Sequence, residues 1–186
     1  MRIIAGDWRG RVLASVGKGD AGAHLRPTTD RVRESLFSML VGGRFGDPIT
    51  GARVLDLFAG TGALGLEALS RGAAEAVFVD DGRVAQKLIR ENIATLGAGT
   101  RATLIGRNAT RLGACPGEAH SLVFCDPPYG KGLGEKALGA ALAGGWISSG
   151  ALVVWEESAD VSPPEGLVPL DERRYGDSVI YILGAS

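Results

Sequence analysis

The alternation of short apolar segments with helix-forming ones, from residue 51 to the end of the chain, limits the possible folds more than any other feature of the sequence. Apolar runs predict strands at 53–58, 76–80, 101–105, 121–125 and 151–156. The segments between them predict helices at 64–71, 83–96 and 133–143. Strands that alternate with helices need right-handed crossovers, so we expect an α/β fold with a mostly parallel sheet and helices on both faces.

The last two apolar segments follow a different pattern. Segments 167–174 and 178–183 are separated only by Tyr175, Gly176 and Asp177, which predicts a hairpin. These two segments bring the sheet to seven strands, and the hairpin would put an antiparallel C-terminal strand at its edge.

The first 44 residues differ from the rest of the chain in charge and in pattern. They contain eight Lys/Arg and four Asp/Glu residues, whereas the whole chain has a net charge of −1. Segments 2–5 and 11–14 predict a small hairpin, and a helix is expected from Thr29 to about Leu40. We therefore divide the chain into a basic extension, 1–44, and a main domain, 45–186. Charge alone leaves open whether the extension faces an anionic partner or is an ordinary solvated surface.

Composition argues against several classes of protein. No apolar run reaches the roughly 18 residues that a membrane-spanning helix needs, and the N-terminus lacks the apolar core of a signal peptide. Cys115 and Cys125 form neither a metal-ligand pattern nor a disulfide framework. We expect a monomeric cytoplasmic protein with reduced thiols, no metal and no membrane contact.

A glycine-rich loop follows the first predicted strand and leads into a helix. Glycines let the backbone approach a ligand closely, and the N-terminus of a helix presents free N–H groups. Gly60, Gly62 and Gly65 spell G-x-G-x-x-G, and Asp80 lies 20 residues after Gly60 at the end of the next predicted strand. That spacing also suits a dinucleotide. The glycines alone therefore do not separate a nicotinamide-dependent oxidoreductase from a methyltransferase.

Asp56 favours the methyltransferase. A dinucleotide-binding strand normally has an apolar residue at this position, and a buried carboxylate is costly without a partner. S-adenosylmethionine has a positively charged amino-acid end and no pyrophosphate, so an acid beside the loop can hold its ammonium. Segment 56–62, Asp-Leu-Phe-Ala-Gly-Thr-Gly, resembles the first motif of class I methyltransferases.

That resemblance implies a Rossmann-like class I fold and a binding site for S-adenosylmethionine. The residues that it implies for the cofactor site are Asp56, Phe58, Gly60, Gly62, Asp80, Asn108 and Asp126. In the family pattern Asp80 would bind the ribose, and Asn108 would lie beside the adenine. Asn108 by itself is almost as typical of an ordinary turn or cap.

The segment Asp126-Pro127-Pro128-Tyr129 directly follows an apolar strand and predicts the catalytic site. An exocyclic amine of a base is a poor nucleophile, because its lone pair is delocalised into the ring. The carboxylate of Asp126 and the carbonyl of Pro127 can accept hydrogen bonds from such an amine, while the two prolines hold the backbone rigid. Tyr129 offers a face on which a base can stack. The expected reaction is in-line methyl transfer to nitrogen, which depends mainly on positioning.

Three segments, 2–11, 25–37 and 62–72, resemble the RsmD family of bacterial methyltransferases, and the similarity extends over nearly the whole chain. The resemblance implies that the substrate is 16S ribosomal RNA, free or in the small ribosomal subunit, and that the methyl group goes to N2 of a guanine, guanine 966. An adenine-N6 methyltransferase of DNA or RNA is the main alternative. A nicotinamide-dependent oxidoreductase and a non-catalytic RNA-binding module are more remote ones.

The basic extension suits RNA, because arginines can reach phosphates and a tryptophan can stack on an unpaired base. The candidate RNA-binding residues are Trp8, Arg9, Arg11, Arg26, Thr28, Arg31, Arg33 and Lys131. Two ordinary structural explanations remain for some of them: Arg31 and Arg33 could lie on an exposed helix face, and Trp8 could pack on the core.

Overall fold

The computed structural model describes residues 1–16 and 29–186 of the chain. Seven strands form one sheet: β1 (Arg53–Leu57), β2 (Glu75–Val79), β3 (Ala102–Ile105), β4 (His120–Cys125), β5 (Ile147–Glu157), β6 (Leu167–Tyr175) and β7 (Ser178–Ala185). Their order across the sheet is β3-β2-β1-β4-β5-β7-β6. The helices are α1 (Asp30–Val41), α2 (Ala63–Ser70), α3 (Arg83–Leu96) and α4 (Leu133–Ala143), with a 3-10 turn at Ala109–Arg111.

The predicted fold class is confirmed. Strands β1 to β5 pair in parallel, and each face of the sheet carries its own hydrophobic cluster. Residues of α1, α2 and α3 pack on one face, and residues of α4 and of the 3-10 turn pack on the other. The bounds of α3 and α4 are the predicted ones.

Strand β5 begins four residues earlier than the predicted start at 151. Its first residue, Ile147, pairs with His120, and the register then shifts before Leu122 pairs with Leu152. Gly150, at φ 76°, lies within this irregular part of the strand. In a sequence, a glycine next to an apolar run is typical of the end of a strand. In this structure Gly150 instead belongs to an irregularity within β5 that lets the strand pairing continue.

The C-terminal hairpin forms as predicted, with one difference in position. Strand β7 is antiparallel to both of its neighbours and lies between β5 and β6, so the outermost strand is β6. The register between β6 and β7 shifts between Pro169 and Asp171. Because Val179 pairs with Glu157, the turn of the hairpin lies at the edge where the parallel strands end.

The sheet changes direction of winding at β1, which has β2 on one side and β4 on the other. Leu57 and Cys125, the last residues of β1 and β4, are partners in the parallel register. The loops that follow these two strands therefore leave the sheet side by side. Ligands of open α/β sheets bind at such a switch point, outside the carboxyl ends of the strands.

The predicted N-terminal pairing is present as a short hairpin. Arg2 and Val12 form an antiparallel bridge, and the Ile3 N–H donates to the Arg11 carbonyl at 2.9 Å. Ile3 and Leu13 are buried in the same cluster as Val54 and Phe124 of the sheet. The extension thus packs directly on the main domain, and the division at residue 44 stays a prediction.

Candidate active site

The loop after β1 adopts backbone conformations that residues other than glycine rarely adopt. Phe58 has φ 58°, a left-handed conformation that costs a non-glycine residue energy and that clusters at functional sites. Gly62, at φ 79°, is the N-cap of α2. A Cβ at Gly65 would lie 2.4 Å from a Phe78 ring carbon, so glycine is required for α2 to pack this closely against β2. The loop and the first turn of α2 are therefore tightly fixed.

Asp56 lies inside β1, and its side chain is almost fully buried, with 2 % of the residue exposed. One carboxyl oxygen, Oδ2, accepts a hydrogen bond from the Gly65 N–H at 3.0 Å. Burial raises the pKa of Asp56 to about 8; the Gly65 hydrogen bond opposes this rise, and the negative charge of Asp80 adds to it. This carboxyl group lacks the positive partner that would stabilise its charged form in the part of the chain described.

Asp80 joins the loops after β1 and β2. Its Oδ2 accepts from the Gly60 N–H at 2.9 Å, and its Oδ1 accepts from the Gly82 N–H at 2.9 Å. Burial raises the pKa of Asp80, whereas these two hydrogen bonds lower it. Each carboxylate oxygen retains further acceptor capacity, so the expected role in binding a ribose stays a prediction that this geometry allows.

Asn108 lies after β3, at the same edge of the sheet, and caps the 3-10 turn. Its side-chain oxygen accepts from the Thr110 N–H at 2.9 Å and from the Thr110 hydroxyl at 2.7 Å. Its side chain therefore has the cap role that the sequence left open, and a contact with adenine stays a prediction.

The motif from Asp126 to Tyr129 follows β4 and lies beside the glycine loop. The Asp126 N–H donates to the carbonyl of Leu57, the last residue of β1, at 3.4 Å. Pro127 is buried and Pro128 is exposed. The Tyr129 hydroxyl donates to Glu156 Oε1 at 2.5 Å. The structure thus brings the residues of the cofactor and catalytic predictions together at one edge of the sheet.

Comparison with known proteins agrees with this geometry. The family model described as Conserved hypothetical protein 95 matches residues 1–184. The Escherichia coli (strain K12) protein "Ribosomal RNA small subunit methyltransferase D" is 44 % identical over 165 residues, which cover 88 % of this chain and 78 % of that protein. The chain belongs to the RsmD family.

Two further relatives extend the comparison. The Bacillus subtilis protein "Putative rRNA methyltransferase YlbH" is 36 % identical over 182 residues, which cover 95 % of this chain and 94 % of that protein. The solved structure "Putative methyltransferase yhhF from Escherichia coli" is 39 % identical, with a TM-score of 0.84 over 100 % of this chain and 98 % of its own.

The position of Trp8 separates it from the candidate active site of this RsmD-family chain. The Trp8 N–H donates to Ser70 Oγ at 3.0 Å, and the Arg101 guanidinium lies 5.1 Å from the centre of the Trp8 ring. Ser70 ends α2 and Arg101 precedes β3, so both lie toward the edge of the sheet opposite Asp126. Trp8 is half-buried against the core, as the structural explanation proposed.

Arg9 and Arg11 are exposed residues of the same hairpin. Arg9 lies in its turn, next to Trp8, and Arg11 is paired with Ile3. The other end of the hairpin is closer to the glycine loop, because the Ala14 carbonyl and the Thr61 carbonyl both accept from the Asn92 side-chain amide. The RNA contacts expected of Arg9 and Arg11 would therefore be remote from the reacting base.

Arg33 is a correction to the expected RNA surface. Its side chain is fully buried, with 0 % exposed, and lies against Glu67 and Asp30 with Nε–Oε2 and NH2–Oδ1 distances of 3.6 and 3.0 Å. Its NH2 group also donates to the carbonyl of Arg2. A guanidinium held in this way cannot reach a phosphate, so the prediction for Arg33 is wrong: this arginine joins α1 to the N-terminal hairpin and to α2.

Glu67, which sequence reasoning missed, organises this region. Its buried carboxylate accepts from the N–H groups of Ile4 at 2.8 Å and Ala5 at 3.0 Å, and it forms ion pairs with Arg33 and Arg71. A single acid in a short helix that is otherwise apolar or small was the available signal. Nothing in the sequence, however, indicates which cations would surround it.

Arg31 and Lys131 are exposed and lie near the site. Arg31 is one turn before Ser35, whose hydroxyl is 2.9 Å from the hydroxyl of Tyr175 in the hairpin turn at the carboxyl edge. Lys131 lies just after the Asp126–Tyr129 motif, separated from Tyr129 by Gly130. Arg26 and Thr28, the remaining two candidates, lie outside the described residues.

No helix in residues 1–16 or 29–186 is long and apolar enough to cross a membrane. The same residues contain no group of three or more His, Cys, Asp or Glu side chains arranged to hold a metal ion.

Proposed function

We propose that this chain transfers a methyl group from S-adenosylmethionine to the exocyclic N2 amine of a guanine in 16S ribosomal RNA. The observation that carries the proposal is the pairing of Leu57 with Cys125, because it puts the acidic glycine loop and the Asp126–Tyr129 motif side by side. The name of the Escherichia coli relative, a methyltransferase of small-subunit ribosomal RNA, supports the choice of substrate. The choice of guanine N2 rests on the family resemblance.

The residues at the switch point fit S-adenosylmethionine. Asp56 is a buried carboxyl group whose pKa is raised to about 8, and Asp80 adds a second acid nearby. Such a pair suits a ligand with a cationic amino-acid end and ribose hydroxyls, because an ammonium compensates the buried charge. A pyrophosphate would instead add negative charge beside two acids, so this site disfavours a nicotinamide dinucleotide.

Asp126, Pro127 and Tyr129 are proposed to position the target base. The Asp126 carboxylate and the Pro127 carbonyl accept the two N–H groups of the amine, which directs its lone pair away from the ring. Tyr129 supports the base by stacking. When bound, S-adenosylmethionine supplies an electrophilic methyl group on its sulfonium. The protein contributes mainly by aligning the amine with that methyl group.

Two regions are proposed to bind RNA. Arg31 and Lys131 lie at the carboxyl edge and would contact phosphates that flank the target base. Trp8, Arg9 and Arg11 would contact RNA farther along the surface, near the end of α2. Arg26 and Thr28 remain candidates from the sequence.

Methylation in vitro tests the proposal. The purified protein would be incubated with labelled S-adenosylmethionine and either free 16S ribosomal RNA or small ribosomal subunits from cells that lack this enzyme. We expect N2-methylguanosine as the labelled nucleoside on mass-spectrometric analysis. N6-methyladenosine would instead support the adenine alternative, and the absence of label from both substrates would refute methyl transfer to ribosomal RNA. Comparing the two substrates also identifies which one the enzyme accepts.

A further inference from the structure

Two acids at the end of β5, Glu156 and Glu157, contact the catalytic loop but belong to none of the motifs. The Tyr129 hydroxyl donates to Glu156 Oε1 at 2.5 Å. The next residue, Gly130, donates its N–H to Glu157 Oε1 at 3.1 Å. The far end of the Asp126–Tyr129 loop is therefore attached to β5 through two consecutive carboxylates.

The two acids lie on opposite faces of the strand. Val154 of β5 packs in the cluster beneath α1 to α3, and Trp155 packs in the cluster beneath α4. Alternation along a strand then puts Glu156 on the first face and Glu157 on the second. Glu157 is 4 % exposed and also accepts from the Ser158 N–H at 2.8 Å. Both of these contacts of Glu157 are with backbone N–H groups, so it holds the backbone of two turns. Glu156 contacts the catalytic side chain itself.

The hydrogen bond from Tyr129 to Glu156 constrains the aromatic ring. The hydroxyl lies on the long axis of the ring, so an acceptor at that point fixes the direction of the axis without itself covering a ring face. Hydrogen bonds to a charged acceptor are stronger than neutral ones. Burial, together with the Glu156 carboxylate, raises the pKa of Tyr129, so the hydroxyl keeps its proton and remains a donor at any physiological pH.

We infer that Glu156 is a positioning residue, which fixes the ring of Tyr129 so that the target base stacks with its amine directed at the acceptors of Asp126 and Pro127. The inference rests on the proposed function. It assigns to the catalytic motif a partner on β5, 27 residues farther along the chain.

Variants of the pair test the inference through single-turnover methyl transfer with saturating cofactor and RNA. Glu156→Ala is expected to lower the rate by roughly 10- to 100-fold, the effect of losing one hydrogen bond to a charged group. Glu156→Gln keeps an acceptor oxygen and should recover most of the rate. Tyr129→Phe keeps the ring but loses the donor, so it should fall to a rate similar to that of Glu156→Ala.

The double variant Tyr129→Phe, Glu156→Ala provides the decisive comparison. If the two side chains act as one unit, it should be no slower than either single variant. The inference would be overturned if the rate losses of the two single variants multiply in the double variant, or if Glu156→Ala is as fast as wild type. RNA affinity should change less than about threefold, because most of it is expected to come from phosphate contacts.

Asp177→Ala is the matched control, because it removes a negative charge from the exposed hairpin turn at the same edge. It should leave the rate unchanged. If Glu156→Ala fails to fold, as judged by circular dichroism, the comparison of Glu156→Gln with Tyr129→Phe still decides: equal rates in these two variants would overturn the inference. A wild-type enzyme that methylates no RNA would instead refute the proposed function, so the two failures are distinguishable.

Discussion

Two buried carboxylates on the same side of the sheet, Glu67 and Asp56, have opposite surroundings. Glu67 in α2 is enclosed by two arginines, Arg33 and Arg71, and by two backbone N–H groups. Asp56 in β1 accepts one N–H, from Gly65, and has a second acid, Asp80, as its charged neighbour.

The difference separates a structural site from the proposed cofactor site. The protein itself supplies the cations around Glu67, so that group is complete in the free chain and joins three parts of the fold. The described residues put no cation beside Asp56, so a cationic ligand is what would favour its charged form. Strongly perturbed acids in a cleft are candidates for functional sites on this physical ground. The consequences of removing each carboxylate should differ accordingly.

The largest effect is expected on stability, from Glu67→Ala. This substitution leaves the buried Arg33 with Asp30 as its one remaining carboxylate contact and removes the acceptor of two backbone N–H groups of the N-terminal hairpin. Breaking a buried ion pair costs about 3–5 kcal/mol. Urea unfolding should show this loss in the free energy of unfolding. Glu75→Ala is a suitable control, because its pair with Arg53 is partly exposed and such pairs contribute about 1 kcal/mol or less. Equal losses in the two variants would remove the contrast.

The next effect concerns the rate of reaction and not the stability. Asp126→Ala should lower single-turnover methyl transfer by on the order of 10²–10³, or about 3–4 kcal/mol, because the target amine loses a preorganised acceptor. Calorimetric affinity for S-adenosylmethionine should fall much less than the rate, since the glycine loop and Asp80 remain to bind the cofactor. Asp126→Asn retains an acceptor oxygen and should be faster than Asp126→Ala. A wild-type rate in Asp126→Ala would exclude the acceptor mechanism.

A pH dependence would test the ligand side of the comparison. A cation beside Asp56 favours its carboxylate form, so binding should expel a proton at pH values below the raised pKa of about 8. Calorimetry should then show affinity for S-adenosylmethionine rising by up to about tenfold from pH 6 to pH 7. In Asp56→Asn this rise should disappear. An unchanged slope in that variant would show that another group releases the proton.

The same carboxyl also affects the stability of the free chain, with a definite sign. Between the ordinary pKa of 3.8 and the folded value of about 8, the native state holds a proton that the unfolded chain has released. The contribution of Asp56 to the free energy of unfolding therefore decreases as pH rises through this range. Denaturant titrations of the wild type and Asp56→Asn should diverge most toward pH 8.

The smallest effect distinguishes two arginines of α1. Arg31→Ala should reduce the slope of log RNA affinity against log salt concentration by roughly 0.7–0.9, the value for one phosphate contact. Its free energy of unfolding should stay within about 0.5 kcal/mol of the wild-type value. Arg33→Ala should destabilise the fold because it uncovers Glu67. An Arg31→Ala protein with the wild-type salt slope would leave α1 without a role in binding RNA.

Local patterns predicted the fold, and the fold puts the predicted active-site motifs side by side at the carboxyl ends of neighbouring strands. Register alone brings the loop after Leu57 next to Asp126. The charged groups could not be assigned in the same way. Arg31 and Arg33 are two residues apart on one helix, yet Arg31 is exposed whereas Arg33 is buried against Glu67. Because Glu67 is distant in the sequence, no local pattern separates the two arginines.

Long-range contacts also explain the remaining surprises. Trp8 is part of a basic segment whose composition suits RNA binding. Its hydrogen bond to Ser70, however, directs it toward the edge opposite the candidate active site. Glu156 ends an apolar strand, where the sequence shows an ordinary acid, and its importance appears only through Tyr129. In each case the partner is more than 25 residues away, beyond the range of periodicity and motif spacing.

The outer strand β6 has a consequence for how the protein behaves at high concentration. An unpaired strand edge is a template on which other chains can add, and Val168 and Leu170 expose apolar side chains there. Pro169 lies between them and lacks a donor, while the irregular register that follows bends the strand. Charged residues occupy much of its remaining length. These features oppose edge-to-edge aggregation, whereas Pro169→Val would restore a backbone donor and make the apolar run from Leu167 to Leu170 continuous.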